Sequence, residues 1–222
     1  MSQIESFIIR LATHKDVDAL TDLHCSSFRP EEHIPFLIGK RYVKATYRWQ
    51  VKGKKAYTLL AESNGRIIGL VAVCDGPFTV PMFKACLGEF IFCLARNPLL
   101  LLKKKLWLRL FRRPDLSDKG RIIADYPGFA QMTIGVVDAD FRGKGVFPAL
   151  VEATKAISKS RGSRAIRAGI YKKNLSSRRV FIKGGWIETP ELETTDTVFY
   201  VAYLDPEFPK ELGINLKNES RQ

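Results

Sequence analysis

The chain has 222 residues, 45% of them hydrophobic, and a formal net charge of +13 at pH 7. This length fits one domain, and this hydrophobic fraction excludes an intrinsically disordered chain. The N-terminus lacks a basic stretch followed by an apolar one, so no secretory signal is predicted and a cytoplasmic location is expected. The cysteines show no close-spaced metal pattern and are predicted to be buried in a reducing cytosol: Cys25, Cys74, Cys86 and Cys93.

The first part of the chain predicts a hairpin. Two β-prone runs, residues 57–62 and 66–73, flank Asn64-Gly65. This dipeptide is typical of a two-residue hairpin turn, so the two runs are predicted to pair.

Residues 76–128 separate the hairpin from the next predicted strand and are predicted to be helical. Their longest apolar stretch, residues 90–102, is interrupted by Arg96, Asn97 and Pro98 and is too short to span a bilayer. Asn97 as N-cap and Pro98 as first helical residue predict a helix start. A helical wheel places the basic residues Lys104, Lys105, Arg109 and Arg112 opposite an apolar face of Leu99, Leu100, Leu106, Trp107, Leu110 and Phe111.

This amphipathic helix is also where the positive charge is concentrated. No acidic residue occurs from Phe90 to Pro114, and seven basic residues there supply more than half of the net charge of +13. Three interpretations stay open. The helix is a lid over an acceptor pocket with a solvated basic face, or it contacts an anionic partner: a nucleotide-sugar diphosphate, an acyl carrier protein or an anionic membrane surface. Nucleic acid is the third and least favoured, because no binding module is recognised, and we predict no such partner.

A glycine-rich turn, Arg142-Gly143-Lys144-Gly145, separates a predicted strand (residues 130–137) from a predicted helix (residues 147–159). A strand that ends in such a turn and opens a helix points several backbone N–H groups at one place, where the helix dipole adds positive charge. Gly143 and Gly145 permit positive φ and close approach, while Arg142 and Lys144 add full charges. The turn predicts a diphosphate site, although glycine needed only for packing is an alternative.

A second motif follows a predicted strand over residues 165–171: Asn174, Ser177, Phe181, Gly185 and Trp186. Together the two motifs resemble those of the GNAT superfamily of acyl-CoA-dependent N-acyltransferases, Gln/Arg-x-x-Gly-x-Gly/Ala and Asn-x-x-Ala/Ser-x-x-x-Tyr-x-x-x-Gly-Phe. The order of the elements is also similar to the family across most of the chain. Residues 7–13 and 16–28 look like the family's first strand and helix, residues 57–73 like the hairpin that follows, and residues 197–204 like a late antiparallel strand.

Two positions depart from the family pattern. Phe147 stands where the cofactor loop ends in Gly or Ala, and Phe181 stands where the family often has tyrosine. In such enzymes that tyrosine is the usual candidate for protonating the departing thiolate. A phenyl ring has no proton to give, so this role is open here.

The resemblance implies an α/β fold of the GNAT type, with a mixed, mostly antiparallel sheet, splayed central strands and flanking helices. The helical insertion lies between its third and fourth strands. A single domain is expected over residues 1–206, followed by a polar tail over residues 207–222. Acetyl-CoA is implied as acyl donor, with no metal, and the implied contacts are Val136, Val137, Arg142, Gly143, Lys144, Gly145, Val146, Phe147, Asn174, Ser177 and Phe181.

No motif fixes the general base. Tyr171 is the preferred catalytic candidate because it ends a predicted strand just before Asn174. The alternatives are His24, Asp75, Asp125 and Tyr126. Arg178 and Arg179 follow Asn174 at helical spacing and are expected to approach the side where the cofactor lies, and contact with its phosphates or exposure to solvent both stay open.

The implied function is transfer of acetyl from acetyl-CoA to a primary amine of a small acceptor. The pattern Leu23-His24-x-x-Ser27-Phe28 and the insertion with Arg112-Arg113-Pro114 look similar to GNAT proteins associated with bacterial surface-polysaccharide gene clusters. A nucleotide-linked amino sugar is therefore the leading acceptor. The alternatives are transfer of a longer acyl chain from an acyl carrier protein, and a non-catalytic acetyl-CoA-binding regulatory module.

Overall fold

A seven-stranded sheet organises the chain in the computed structural model, which describes residues 6–30, 33–111 and 116–213. The strands are β1 (Ile8–Leu11), β2 (Ala56–Ser63), β3 (Arg66–Asp75), β4 (Phe129–Val137), β5 (Ala165–Tyr171), β6 (Ile187–Glu188) and β7 (Thr197–Tyr203), in the spatial order β1-β2-β3-β4-β5-β7-β6. Neighbours run antiparallel except β4 and β5, which are parallel. The mixed, mostly antiparallel sheet is confirmed.

Helices cover both faces of this sheet. They are α1 (Val17–Ser27), α2 (Ile34–Ile38), α3 (Lys40–Lys52), α4 (Thr79–Ala85), α5 (Leu87–Arg96), α6 (Lys104–Phe111), α7 (Asp118–Asp125), α8 (Val146–Ser160), α9 (Leu175–Lys183) and α10 (Phe208–Glu211). On one face Leu150 of α8 packs against Val71, and on the other Leu20 of α1 packs against Leu70. Strands β2 and β3 are therefore buried on both sides, which explains their nearly continuous apolar sequence.

The hairpin between β2 and β3 has the predicted turn. Ser63 pairs with Arg66, and both residues between them have positive φ, 50° at Asn64 and 74° at Gly65. Asparagine and glycine are the residues that adopt this backbone most readily, and its twist matches that of the flanking strands.

Strands β4 and β5 separate part-way along their length. They pair only from Phe129 with Ala165 to Met132 with Ala168, although β4 continues to Val137 and β5 to Tyr171. At the same point β4 has a bulge, because its register with β3 passes over Thr133. An extra residue bends a strand, so the two strands diverge, and in the described part of the chain no other strand pairs with this edge of β4. The predicted splay is confirmed.

The insertion between β3 and β4 is helical, but it differs from the prediction in detail. Pro98–Leu102 forms a 3-10 turn that ends at Lys103, and Asn97 makes no side-chain capping hydrogen bond. Leu100 and Leu106 are buried beside Ile38 and Tyr42, whereas Leu99 is exposed. The prediction of one continuous helix with Leu99 on a buried face is wrong, since the bend at Lys103 ends the helical periodicity. Residues 112–115 and the side chains of Lys105, Arg109, Leu110, Phe111 and Asp125 lie outside what the structure describes.

The segment after β7 packs onto the sheet. Phe208 at the start of α10 is fully buried, with its ring centroid 5.1 Å from that of Phe129. Arg164 binds both Asp205 and Glu211. Residues 207–213 therefore belong to the packed fold, although the sequence predicted a tail from residue 207.

The cysteines are free; Cys74, Cys86 and Cys93 are buried as predicted, and Cys25 is half-buried. Within the described ranges, the structure contains no helix of the length and apolarity needed to cross a membrane. The same ranges hold no group of three or more side chains placed to bind a metal ion.

Candidate active site

The divergence of β4 and β5 opens a cleft of about 640 Å³. The cleft brings together the two motifs, which lie on different elements: the glycine-rich turn before α8 and the Asn174 segment that begins α9. Its lining residues are Ser27, Phe28, Gly135, Val136, Val137, Phe141, Arg142, Gly143, Gly145, Val146, Phe147, Pro148, Asn174, Ser176, Ser177 and Val180.

The glycine-rich turn forms an open cradle at the N-terminus of α8. Gly143 and Gly145 have φ values of 77° and 81°, and a Cβ added to either would meet nothing within 4 Å. Because the first-turn N–H groups of α8 have no carbonyl partner within the helix, they are available to an anion here. The residues and the space fit a diphosphate.

The two basic side chains of the turn differ in position. Arg142 lines the cleft, and its Nε donates to the Val137 carbonyl oxygen at 3.2 Å. Lys144 lies beside the cleft, with its Nζ 4.9 Å from the centre of the Phe141 ring. Arg142 is therefore fixed against the end of β4, while Lys144 contributes positive charge at the rim.

Phe147 occupies space that the strand leaves open. A Cβ built on Gly135 would lie 2.6 Å from Cε2 of Phe147, so the ring rests directly on the backbone of β4. The Phe147 ring also meets Phe181 edge-on, with the centroids 6.0 Å apart. The two departures from the family motifs are therefore in contact with each other.

Phe181 is a core residue. Its side chain is fully buried, stacked on Tyr200 with centroids 5.7 Å apart and edge-on to Trp186 at 4.9 Å. It does not line the cleft. The prediction of a cofactor contact is corrected for this side chain, because it is enclosed in the core and Phe147, which it contacts, forms the cleft wall instead.

Asn174 and Ser177 both line the cleft, and a hydrogen bond joins them. The Asn174 Oδ1 caps α9 by accepting from the Ser177 N–H at 3.2 Å and from the Ser176 hydroxyl at 3.0 Å. An Asn N-cap fixes the start of the helix and its own side chain at once. The helix start thus holds its polar groups at the cleft wall.

Several solved structures share this architecture at low sequence identity. The GNAT domain of S. lividans PAT matches with a TM-score of 0.56 and 16% identity, covering 91% of this chain and 98% of that one. The PaiA N-acetyltransferase of Thermoplasma acidophilum, solved with coenzyme A, matches with a TM-score of 0.56 and 10% identity, covering 89% and 99%. An N-acetyltransferase of Staphylococcus aureus Mu50 matches with a TM-score of 0.53 and 15% identity, covering 90% of this chain and 99% of that one.

The chain has the GNAT fold. No protein-family model matches its sequence, and no curated protein does so either.

Within this GNAT fold, Tyr171 lies at the end of β5. Its carbonyl oxygen accepts from the Asn174 N–H at 2.8 Å, and its side chain is 37% exposed. It stands next to the cleft-lining segment without lining the cleft itself.

His24 is a buried residue of α1. Its Nδ1 is 2.9 Å from the Tyr47 hydroxyl and its Nε2 is 2.9 Å from Nδ1 of His33. Burial, with a smaller contribution from charge repulsion by His33, lowers the pKa of His24 to about 3. Phe28 lines the cleft, and its ring lies 5.1 Å from that of His24 and is stacked on that of His33. His24 is therefore neutral and does not reach the cleft.

Two other candidates lie at the opposite end of β4. Asp75 pairs with Ala130 in the sheet register and binds Arg161 at 2.6 Å. Tyr126 packs edge-on against Phe208. Since the cleft begins at Gly135, neither side chain is placed to act there. Asp125 has no described side chain.

Arg178 also differs from expectation. Its Nε donates to the Tyr200 hydroxyl at 3.0 Å, and that hydroxyl donates to Glu188 at 2.8 Å. The guanidinium therefore ties α9 to β6 and β7, and Arg178 does not line the cleft. Arg179 is exposed.

Sequence reasoning missed part of the cleft wall: Ser27, Phe28, Gly135, Phe141, Pro148, Ser176 and Val180. Gly135 did carry a signal, because a glycine inside a strand often marks a close approach. The insertion contributes no lining residue among those described; it packs on α2 and α3 instead. The interpretation of the insertion as a lid over an acceptor pocket stays a prediction.

Proposed function

We propose that the protein is an N-acetyltransferase that moves acetyl from acetyl-CoA to a primary amine of a small acceptor. The observation that carries this proposal is the cleft at the separation of β4 and β5, with an open glycine cradle at one end. The GNAT fold, present also in an acetyltransferase solved with coenzyme A, supports it.

The cleft suits the parts of the donor in order. The diphosphate would lie on Gly143 and Gly145 at the positive end of α8. Beyond Met132 the edge of β4 that faces β5 has no strand partner, so its backbone groups are available to a pantetheine arm. The ring of Phe147 provides an apolar side wall.

The proposed chemistry is direct acyl transfer. The neutral amine nitrogen attacks the thioester carbonyl carbon, the C–S bond breaks and the leaving sulfur ends as a thiol. The amine must lose a proton, and the carbonyl oxygen gains negative charge that backbone N–H groups of β4 would stabilise. Because the Phe181 ring is buried and has no hydroxyl, any side chain that protonates the sulfur is a different one.

We propose Tyr171 for proton transfer, since its backbone carbonyl accepts from the Asn174 N–H at the open end of β5, which places the residue next to the cleft-lining segment although its side chain is not part of the cleft wall. Tyr171→Phe is expected to lower kcat roughly a hundredfold while leaving acetyl-CoA affinity unchanged. Steady-state kinetics and a binding titration check this together. Unchanged kcat would remove Tyr171 from the mechanism.

A nucleotide-linked amino sugar is the acceptor we propose to test first. This choice depends on the sequence resemblance around Leu23-His24-x-x-Ser27-Phe28, whose last two residues line the cleft. Release of free thiol from acetyl-CoA, measured across a panel of amines, identifies the acceptor class.

The donor is tested first, by thermal unfolding with acetyl-CoA, CoA and a long-chain acyl-CoA at equal concentrations. A ligand that binds the native state raises Tm, and we expect acetyl-CoA to do so. Stabilisation only by the long-chain donor would favour a long-chain acyltransferase served by an acyl carrier protein. Stabilisation by acetyl-CoA without thiol release for any amine would favour a regulatory module. No stabilisation by any of them would contradict the proposal.

A further inference from the structure

The 3-10 turn of the insertion exposes a cluster of leucines beside lysines. The side chains of Leu99, Leu101 and Leu102 are 64%, 49% and 79% exposed. Apolar side chains in a turn that packs against the core are usually buried. Lys103 and Lys104 follow directly and are exposed, and Leu108, also exposed, lies one helical turn after Lys104 on the same face of α6. We call Leu99, Leu101, Leu102, Lys103, Lys104 and Leu108 the leucine–lysine patch.

The patch is held in place from below. Leu100 and Leu106, on either side of the bend, are buried against α2 and α3 together with Ile38 and Tyr42. The Trp107 Nε1 donates to the Leu101 carbonyl oxygen at 2.6 Å. Leu100 is thus the leucine of the turn that is buried in the core. Because the buried residues fix the turn, Leu99, Leu101 and Leu102 point to the surface.

The sequence around the patch carries charges of one sign. From Phe90 to Pro114 the sequence has no aspartate or glutamate and has the basic residues Arg96, Lys103, Lys104, Lys105, Arg109, Arg112 and Arg113. Leucines flanked by basic side chains match the two layers of an anionic bilayer surface, because the leucines enter the acyl boundary while the lysines meet the headgroups. A half-buried tryptophan at the same place is typical of such a contact.

We propose that the leucine–lysine patch binds the protein peripherally to an anionic lipid surface. A second copy of this chain fits less well, because a two-fold contact through the patch would bring the lysines of both copies together. Nucleic acid would match the lysines but leave the leucines in water. The proposal is independent of the acyltransferase function, since it concerns a surface outside the cleft.

The test is co-sedimentation of the full chain with vesicles of phosphatidylglycerol and phosphatidylcholine, and with vesicles of phosphatidylcholine alone. We expect binding only to the anionic vesicles at about 50 mM salt and strong weakening at about 500 mM salt, since salt screens the lysines. Lys103→Gln/Lys104→Gln is expected to weaken binding roughly tenfold to thirtyfold. Leu99→Ser/Leu102→Ser is expected to weaken it about tenfold or more, although the charge is unchanged.

Residues 182 and 183 provide a matched control. Ile182 is 57% exposed and Lys183 is exposed beside it on α9, so Ile182→Ser/Lys183→Gln makes the same kinds of change elsewhere on the surface. This variant is expected to bind vesicles like the wild type, and Leu102→Ser/Lys103→Gln is expected not to. All substituted side chains are exposed, so Tm is expected to stay within a few degrees of the wild type.

Three results would overturn the proposal: no wild-type binding to anionic vesicles at low salt, equal binding to neutral vesicles, or patch variants that bind like the wild type. Sedimentation velocity without lipid is the complementary measurement. A dimer that dissociates on Leu99→Ser/Leu102→Ser would assign the patch to a second copy instead. Acetyl-CoA stabilisation of the same samples separates this outcome from failure of the proposed acyltransferase.

Discussion

The left-handed backbone of Gly145 sets how closely a ligand approaches the start of α8. We expect Gly145→Val to abolish stabilisation by acetyl-CoA, because a branched side chain at φ 81° is strained and fills the open cradle. Gly162 is the matched control, since it has φ 85° and equally open surroundings but lies in the turn after α8.

Comparison of the two valine variants separates strain from binding. Both should unfold at a lower temperature than the wild type by similar amounts. Only Gly145→Val should lose the Tm increase on adding acetyl-CoA. An equal ligand response in the two variants would show that the cradle does not hold the donor.

Some residues of the site could be predicted from the sequence and others could not. Gly143 and Gly145 were predicted correctly as an open turn, because the strand before them and the helix after them fix where the turn must be. Phe181 was placed at the cofactor because the motif spacing put it there. Its burial depends on Tyr200 and Trp186, and nothing in the local pattern shows that their rings enclose it.

At the level of elements, α1 carries a buried histidine whose titration affects stability. The pKa of His24 is about 3 in the folded protein, against an ordinary value of 6.5, chiefly because the ring is buried. Between these values the unfolded chain binds a proton that the native state does not. The free energy of unfolding therefore falls as pH decreases from about 6.5 towards 3, by at most about 1.4 kcal/mol per pH unit from this group.

His24→Gln removes that contribution. Denaturant unfolding at pH 7 and pH 5 should give a smaller difference between the two pH values for the variant than for the wild type. Both pH values lie above 4 because a second group affects stability below it. The Arg10 guanidinium lowers the pKa of Asp16, so the stabilisation that the ionised carboxylate provides begins to be lost below about pH 4. An equal pH difference in both proteins would mean that His24 titrates normally.

Elements were predictable where local chemistry decides them. Asn64-Gly65 fixes the hairpin, and the strand–turn–helix order fixes β4 and α8. The insertion was less predictable, because the break at Lys103 comes from packing Leu100 and Leu106 against α2 and α3. Contacts between distant segments decide that break, and periodicity along the chain does not contain them.

For the molecule as a whole, α10 contributes to the closed core. Phe208→Ala is expected to destabilise the fold by about 3–5 kcal/mol, because the ring is fully buried against Phe129 and Tyr126. Lys210→Ala, at an exposed position on the same helix, is the control and should cost less than about 0.5 kcal/mol. Thermal and denaturant unfolding measure both.

If Phe208→Ala lowered the free energy of unfolding only slightly, residues 207–213 would not contribute to the core and the predicted tail would be correct for them. The sequence predicted a tail because this stretch is polar overall. In the folded structure the buried ring of Phe208 and the ion pairs of Arg164 with Asp205 and Glu211 hold the segment against the sheet despite its polar composition.

The contact between Phe147 and Gly135 means that two positions share one volume. A large ring on α8 is tolerated because β4 has no side chain beneath it. Homologous sequences should therefore vary together here: those with a small residue at the position of Phe147 are free to carry a larger one at that of Gly135. Those with an aromatic residue at the first position should keep glycine at the second. Aligned sequences of close relatives would reveal this exchange as covariation between a helix and a strand.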